Sequence, residues 1–274
     1  MSADVSIVLV TYNREKFLPR TLDCILSQTY SDFNLLICDD CSTDGTEAVC
    51  RDYLQHDSRI RYYRNKQNLG MPGNLNTGIG RAQSEFVANL HDGDIYHPRL
   101  IEKWRAALLE NPTAGFVFNI YRHLSHDGVS GKQTDRFPGL MHGRDFLENV
   151  CFRDTDLECP VWGTVMARRG VYEALGMFDP TYGFWSDFDM WFRIAESYDV
   201  AFVPEPLIEL PSRTTMPHLF ASGALKTHTT IFRMYWAARC RHYWNRPVHL
   251  ARELVKQVLY FTRSRTRRAM RRLI

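Results

Sequence analysis

The stretch FVANLHDGDIYHP, residues 86–98, places two aspartates that are one residue apart directly after a short apolar run. The apolar run predicts a buried strand. Two like charges this close repel each other unless a cation lies between them, and hard oxygen ligands suit Mg²⁺ or Mn²⁺. The stretch therefore predicts a strand that ends in a metal site formed by Asp92 and Asp94, where the cation would carry a diphosphate.

Strand-like and helix-like segments alternate on both sides of this stretch. This rhythm predicts an α/β fold with a mostly parallel central sheet and helices on both faces. Ligands bind such sheets at the carboxyl ends of the strands, and the polar clusters 11–14, 39–44 and 92–94 fall at predicted ends. We expect them to converge. The predicted strands are 5–10, 34–38, 60–64 and 86–91. The predicted helices are 17–28, 70–82 and 98–110, and a further helix follows the second strand, with Asp44 and Glu47 in capping-box register.

Residues 111–210 lose the regular rhythm. Strands are predicted at 115–121 and 163–168, a loop at 125–139 and a helix at 187–197. Beyond Ala221, two long helical stretches are predicted, with a break near Pro247. We divide the chain into a domain of residues 1–215, with halves 1–110 and 111–215, and a basic helical extension (216–274).

The composition is that of an ordinary globular protein, with 274 residues of which 45% are hydrophobic and 24% are charged. Neither an N-terminal signal nor an apolar run approaching the ~20 residues of a membrane span is visible. The seven cysteines form no regular framework, which fits a reducing cytosol. We interpret the C-x-x-C of Cys38 and Cys41 as incidental because the two intervening acids would raise the thiol pKa values.

Charge is concentrated at the C-terminus. Residues 239–274 hold eleven Lys or Arg and one acid, Glu253, which gives +10 against a total of +3 and leaves −7 for the remainder. A helical stripe of four apolar residues precedes most of the arginines. Such a basic amphipathic helix is typical of contact with an anionic membrane surface, here through 248–274. The alternatives are a solvated helix that covers the rest of the chain and nucleic-acid binding, which we do not expect because no reading motif accompanies the arginines. The stripe consists of Leu250, Leu254, Val258 and Phe261.

An ordered set of motifs resembles the family-2 glycosyltransferases over roughly residues 4–215. The resemblance implies a GT-A fold and inverting transfer of a sugar from a nucleotide-sugar of UDP, dTDP or GDP type. The polymerising relatives carry Gln-x-x-Arg-Trp, and its absence here favours transfer of a single sugar. The motifs are VSIVLVTYNR (5–14), DDCSTDGT (39–46), NLG (68–70), NTGI (76–79), the acidic pair with IYHP (95–98), GMFD (176–179) and SDFDMWFR (186–193).

The resemblance implies that residues 1–110 are the nucleotide-binding half and residues 111–215 the acceptor-binding half, and that the strand-end residues bind the donor. Asp39 and Asp40 would contact the nucleobase and the ribose. Relatives often carry an arginine where Leu75 stands, so that contact is missing or is supplied by Asn74. Which carboxylate of the DXD-type pair touches the Mn²⁺ or Mg²⁺ stays open. The other implied donor contacts are Thr11, Asn13, Arg14, Asn68, Asn76, Asp92 and Gly93.

Inversion also needs a base on the face opposite the leaving group, to remove the proton of the acceptor hydroxyl. Asp187 is the candidate, although a carboxylate at the start of a helix can also serve the helix dipole. Asp189 would support the helix. The implied acceptor contacts include residues that fit a core or structural role equally well: Trp162, Gly163, Trp185 and His218.

These predictions together indicate a metal-dependent enzyme of surface polysaccharide or glycolipid assembly. Its acceptor would be a saccharide or a lipid-linked sugar, and it would lie in the cytoplasm or on the inner face of the cell membrane. A sugar nucleotidyltransferase is disfavoured because residues 11–14 contain no glycine, and a dinucleotide oxidoreductase because no G-x-G-x-x-G follows Val10. A catalytically silent nucleotide-sugar-binding module would not need Asp92, Asp94 and Asp187 together.

Overall fold

The computed structural model describes residues 3–125, 128–130, 137–152, 161, 163–211, 224–249, 251–252 and 255. Strands and helices alternate regularly through the first 110 residues. The elements of this half are β1 (Val5–Thr11), α1 (Leu18–Leu26), β2 (Phe33–Asp39), α2 (Thr46–His56), β3 (Ile60–Arg64), α3 (Gly70–Ile79), β4 (Phe86–His91), β5 (Ile95–Tyr96) and α4 (Leu100–Glu110).

The second half begins with a long strand and contains several short elements. These are β6 (Ala114–Ser125), β7 (Gly128–Ser130), β8 (Leu140–Met141), α5 (Gly143–Phe146), a π-helical turn (Leu147–Cys151), β9 (Val165–Arg168), α6 (Arg169–Leu175), a 3₁₀ segment (Pro180–Trp185), α7 (Ser186–Ala195), β10 (Asp199–Pro211) and α8 (Ala224–Tyr243).

All strands within the described residues belong to one sheet, in the order β3-β2-β1-β4-β9-β6-β10-β5, with β7 beside β6 and β8 beside β10. The first four are mutually parallel. β9 runs antiparallel to both β4 and β6, and β10 runs parallel to β6. The predicted α/β fold with a mostly parallel central sheet is therefore confirmed.

Side-chain alternation along the strands builds a core on each face of the sheet. In β1, Ile7 and Leu9 join Leu22 of α1 in one core, whereas Val8 and Val10 join Leu75 of α3 in the other. The second core extends to α7 and α8, where Tyr235 is fully buried and its ring lies 4.9 Å from that of Phe192. Residues of the predicted extension thus pack on the preceding α/β domain, and the boundary at residue 215 stays a prediction.

The structure corrects several predicted elements. Part of the predicted loop 125–139 is the strand β7, which forms a hairpin with β6. The capping box of α2 does not form, because the helix begins one residue later than predicted, with Gly45 at the N-cap. β5, only two residues long, was not predicted. Among the described residues, no helix combines the length and apolar character needed to cross a membrane.

Candidate functional site

The polar clusters at the strand ends meet at one edge of the sheet, as expected. β1 lies between β2 and β4, with Thr11 opposite Asp39 and Val10 opposite His91. Thr11 is 3% exposed, and its hydroxyl oxygen is buried without a hydrogen-bond partner in the structure. A buried hydroxyl that is left unsatisfied costs free energy, so a ligand group at this edge would gain by bonding to it.

Asp39 is held on both carboxylate oxygens. Oδ1 accepts hydrogen bonds from the backbone N–H and the hydroxyl of Ser42, at 2.9 and 2.5 Å. Oδ2 accepts from the Tyr62 hydroxyl at 2.7 Å and lies 3.6 Å from Arg64 Nε. Burial, together with the Asp39 carboxylate, raises the pKa of Tyr62 well above its usual range, so Tyr62 remains a donor. Asp39 therefore anchors the loop between β2 and α2, in addition to the contact with the nucleobase that the resemblance implies.

Asp40 links the end of β2 to the loop before α3. Its Oδ1 accepts from the backbone N–H of Leu69 at 2.8 Å and from Asn65 Nδ2 at 2.9 Å. Its own N–H donates to the Thr11 carbonyl at 2.9 Å. These contacts place the Asp40 carboxylate at the sheet edge, where its predicted contact with the donor stays a prediction.

The loop after β1 is shaped by Asn13, which has a positive φ of 54°. Its backbone N–H donates to Ser42 Oγ at 2.9 Å, and its Oδ1 accepts from the Thr43 N–H at 2.8 Å. Asparagine tolerates this left-handed conformation better than most residues. The side chain therefore joins the loops that follow β1 and β2, which are the two loops expected to border a nucleobase.

The acidic pair follows β4 in a loop that is fixed at both ends. The Tyr96 hydroxyl bonds to the N–H and the carbonyl of His91, at 2.8 and 2.7 Å. The Thr21 hydroxyl accepts from the Gly93 N–H at 3.0 Å and donates to the Asp94 carbonyl at 3.3 Å. Gly93 has a φ of 85°, which favours glycine. Arg14 Nε lies 3.3 Å from Asp92 Oδ1, so one carboxylate of this loop already forms an ion pair with an arginine of the protein.

A divalent cation fits this loop if substrate phosphates complete its coordination. Within the described part of the chain, no group of three or more His, Cys, Asp or Glu side chains could hold a metal. Mg²⁺ is commonly bound by one or two carboxylates together with phosphate oxygens. Asp92 and Asp94 can supply the carboxylates, and the substrate would supply the phosphate oxygens. Apart from its two neighbours in the chain, a Cβ added at Gly93 would meet nothing within 4 Å, so other parts of the protein leave the space beside the Gly93 backbone open.

Asp187 lies in the first turn of α7, and its carboxylate approaches Gly163 from the other side of the site. A Cβ built on Gly163 would lie 2.5 Å from Asp187 Oδ2 and 2.6 Å from His91 Nε2. The side chain of Asp187 is buried, and its Oδ1 has no hydrogen-bond partner in the structure. Burial raises the pKa of Asp187 to about 7. The result is a desolvated carboxylate next to the end of the strand that carries the acidic pair.

His91 is the member of this group that the sequence did not single out. The antiparallel register pairs Asn89 with Val165, and continuing it by two residues brings His91 opposite Gly163. Pairing between residues this far apart in sequence leaves no local periodicity that would have revealed the contact.

The remaining predicted residues differ in what they contact. Asn74 Nδ2 donates to the Cys38 carbonyl at 2.7 Å. Asn76 exchanges two hydrogen bonds with the backbone of Phe178, at 2.8 and 2.9 Å. These contacts give both amides a structural task, whereas Asn68 is exposed and accepts from the Gly70 N–H. Trp185 packs against the core between Phe184 and Phe188. Trp162 and His218 lie outside the described residues.

The Cys38 thiol faces the core, and burial raises its pKa to about 12. A thiol in this state carries almost no reactive thiolate. This supports the interpretation that the C-x-x-C of Cys38 and Cys41 is incidental.

The sheet order and the acids at its strand ends define a glycosyltransferase domain of the GT-A type. The model of the family described as Glycosyl transferase family 2 matches residues 6–176, and the chain belongs to that family.

Two relatives and two solved structures illustrate the match. The chain is 29% identical over 209 residues to the putative glycosyltransferase EpsE of Bacillus subtilis, covering 70% of this chain and 66% of EpsE. It is 31% identical over 128 residues to the Escherichia coli UDP-Glc:alpha-D-GlcNAc-diphosphoundecaprenol beta-1,3-glucosyltransferase WfgD, covering 47% and 49% of the two chains. The chain thus spans less than two thirds of either relative.

The solved structures share the fold at lower identity. Staphylococcus aureus TarS 1–349 has a TM-score of 0.70 at 16% identity, covering 96% of this chain and 73% of that one. TarS has also been solved with UDP-GlcNAc. The mannosyltransferase PcManGT from Pyrobaculum calidifontis, solved with GDP-Man and Mn²⁺, has a TM-score of 0.60 at 18% identity, covering 96% and 75%.

Proposed function

We propose that the protein is an inverting glycosyltransferase that moves one sugar from a nucleoside-diphosphate sugar to a hydroxyl of a saccharide or lipid-linked acceptor. The observation that carries this proposal is Asp187, a buried carboxylate that approaches Gly163 beside His91. A base is most effective when its pKa lies near the working pH, and that of Asp187 is raised to about 7.

In the proposed reaction, Asp187 takes the proton of the acceptor hydroxyl as that oxygen attacks the anomeric carbon. The bond between the anomeric carbon and the diphosphate breaks at the same time, and the nucleoside diphosphate leaves from the opposite face. The configuration at the anomeric carbon is therefore inverted. Asp39, Asp40 and Thr11 would hold the nucleoside, and Arg14, whose Nε lies 3.3 Å from Asp92 Oδ1, would supply a counter-charge to the diphosphate.

Asp92 and Asp94 would hold a divalent cation, Mn²⁺ or Mg²⁺, at the diphosphate. When bound, such a cation stabilises the negative charge of the leaving group as a Lewis acid. The GDP-Man and Mn²⁺ complex of PcManGT supports this proposal from a similar fold.

The relatives support a setting in surface polysaccharide or glycolipid assembly. WfgD is named for a UDP-Glc donor and a diphosphoundecaprenol-linked acceptor, which supports a UDP-type donor, with dTDP and GDP types as alternatives. A membrane-bound acceptor would suit contact between residues 248–274 and an anionic membrane surface. Trp244 and Val248, 75% and 79% exposed, lie where that basic segment begins, and exposed apolar side chains beside basic residues favour interfacial binding.

A thermal-shift panel of UDP-, dTDP- and GDP-sugars, with and without Mn²⁺, is expected to identify the donor, because stabilisation follows RT ln(1 + [L]/Kd). Hydrolysis of the selected donor then tests the reaction class. Release of a nucleoside diphosphate supports a transferase, pyrophosphate would indicate a nucleotidyltransferase, and no turnover would indicate a binding module.

Asp187→Asn is expected to lower turnover ~10²–10⁴-fold while donor binding, read from the same thermal shift, is unchanged. Turnover near that of the unmodified protein would remove Asp187 from the role of base.

A further inference from the structure

α7 carries a second aspartate, Asp189, whose contacts differ from those of Asp187. The Asp189 side chain is 4% exposed, and its Oδ2 accepts from Arg193 Nε at 2.8 Å within the same helix. Arg193 also donates to the carbonyls of Leu175 and Met177, at 2.8 and 2.9 Å. Asp189 therefore belongs to a network that fastens α7 to the segment after α6.

Arg241 of α8 completes this network from outside α7. Its NH2 lies 3.7 Å from Asp189 Oδ1, and its Nε donates to Glu196 at 2.9 Å to Oε1 and 3.1 Å to Oε2. Asp189 and Glu196 are seven residues apart, which places them on one helical face about two turns apart. The guanidinium of Arg241 thus contacts an acid in the first turn of α7 and the acid at its C-cap.

α8 is itself held firmly enough to serve as a support. Beside the packing of Tyr235 on Phe192, His242 Nε2 and Arg246 NH1 lie 3.0 and 3.1 Å from Glu148 Oε1. Burial raises the pKa of Glu196, and the charge of Arg241 opposes that shift. The ion pair of Arg241 with Glu196 therefore joins a desolvated carboxylate at the end of α7 to α8, and α8 is also anchored through Glu148.

Asp187 lies two residues before Asp189 on α7. Its Oδ1 has no hydrogen-bond partner in the structure, so its placement comes mainly from the helix that carries it. We propose that Arg241 is a positioning residue: by gripping Asp189 and Glu196 it sets α7 so that Asp187 reaches the acceptor hydroxyl over Gly163. This inference rests on the proposed role of Asp187 as the base.

The test compares Arg241→Gln and Arg241→Lys with Arg233→Gln, all in the full chain. Arg233 is an exposed arginine of the same helix that forms no ion pair with the described residues, so its variant is a matched control. Turnover is measured as release of the nucleoside diphosphate from the donor that the thermal-shift panel selects. Asp187→Asn is measured in parallel.

We expect Arg241→Gln to lower kcat about 10- to 100-fold with the donor KM within about twofold, because small misplacements of a catalytic group are costly. Arg241→Lys keeps the positive charge but not the planar guanidinium that can contact two acids, and its kcat is expected to lie between those of Arg241→Gln and the unmodified protein. Amide hydrogen exchange in a peptide spanning α7 should be faster in Arg241→Gln and unchanged in Arg233→Gln.

A kcat for Arg241→Gln within about twofold of the unmodified protein, with Asp187→Asn inactive, would overturn the positioning role alone. Full turnover of Asp187→Asn would overturn the assignment of the base and this inference with it. If Arg241→Gln does not fold, Glu196→Gln replaces it, since that change leaves the ion pairs of Asp189 intact. A lower kcat at unchanged KM then supports the inference, and an unchanged kcat rejects it.

Discussion

Asp187 shows how a single buried charge affects both activity and stability. Its pKa is raised by burial to about 7, so the folded protein binds this proton more tightly than the unfolded chain. The contribution of this group to the free energy of unfolding is therefore fully present below the ordinary aspartate pKa of 3.8, falls as the pH rises from there, and is lost once the pH has passed about 7. The ionised form needed for proton abstraction is the form that the fold disfavours.

The pH dependence of turnover follows from the same pKa. We expect kcat/KM for transfer or donor hydrolysis to fall about tenfold per pH unit below about 7, because the protonated carboxyl cannot act as a base. Asp187→Asn should abolish this limb of the profile. It should also raise the free energy of unfolding at pH 8 by the order of 1 kcal/mol or more, since a pKa unit corresponds to ~1.4 kcal/mol. A lower Tm for this variant at pH 8 would contradict the desolvated state of Asp187.

Gly163 offers a second test at the same scale. In Gly163→Ala, the new Cβ would lie 2.5 Å from Asp187 Oδ2 and 2.6 Å from His91 Nε2, so both groups must move. We expect turnover to fall ~10²-fold or more, with donor binding retained because the proposed nucleoside contacts lie at the ends of β1 and β2. Gly170→Ala is the matched control, since its Cβ would meet nothing within 4 Å. Equal losses in the two variants would argue against a role for the space at Gly163.

At the scale of elements, the first half of the fold was predicted closely. β3 and β4 have the predicted bounds, whereas β1 is one residue longer and β2 two residues longer than predicted. Short apolar runs, each followed by polar residues, fixed these strands because every buried parallel strand has the same local pattern. The polar clusters could be placed for the same reason, since parallel strands bring their carboxyl ends to one edge.

In the second half, β6, β9 and α7 lie close to the predicted segments 115–121, 163–168 and 187–197. The pairing of these strands and the contact at Gly163 could not be predicted, because both depend on residues that are far apart in the sequence. β9 has only four residues, and its antiparallel place between β4 and β6 leaves no periodic signal. The tasks of Asn76 and Arg241 are fixed by partners about one hundred and about fifty residues away.

The start of α2 shows that Asp44 does bind the backbone at the helix N-terminus, although the predicted capping box with Glu47 does not form. Asp44 Oδ1 accepts from the Thr46 N–H at 3.0 Å and from its hydroxyl, and Oδ2 accepts from the Glu15 N–H at 3.2 Å. Burial acts to raise the pKa of Asp44, but these hydrogen bonds outweigh it and hold the pKa below its usual range. Glu47 instead pairs with Arg51 and Arg64.

Asp44→Ala is therefore expected to lower the free energy of unfolding by about 1 kcal/mol, as for the loss of other helix caps. Glu47→Ala should change it by less, because exposed ion pairs contribute little. Urea denaturation at pH 7 measures both. A larger loss for Glu47→Ala would restore the capping box that the structure rejects.

At the scale of the whole molecule, the uneven distribution of charge predicts where the protein lies in the cell. Each basic residue near an anionic bilayer adds ~1 kcal/mol at low salt, and residues 239–274 carry eleven of them. A truncation to residues 1–245 keeps α8 and the Arg241 contacts but removes most of this charge.

We expect the full chain to co-sediment with vesicles that contain anionic phospholipid and to be released by salt, whereas the 1–245 truncation should stay in the supernatant. Vesicles of neutral phosphatidylcholine are the control. Equal sedimentation of the two proteins would reject membrane contact through 248–274 and favour a helix that covers the catalytic domain.

The pairing of β9 with β4 has a consequence for how this chain can vary among relatives. Because Val165 is held opposite Asn89, Gly163 is tied by a fixed count of residues to the strand that carries the acidic pair. Deleting or inserting one residue between 163 and 168 would move Gly163 away from His91 and turn the side chains of β9 to opposite faces. Changes in length should therefore accumulate in the connections outside this short strand, where the specificity for new acceptors can change while the reacting groups keep their spacing.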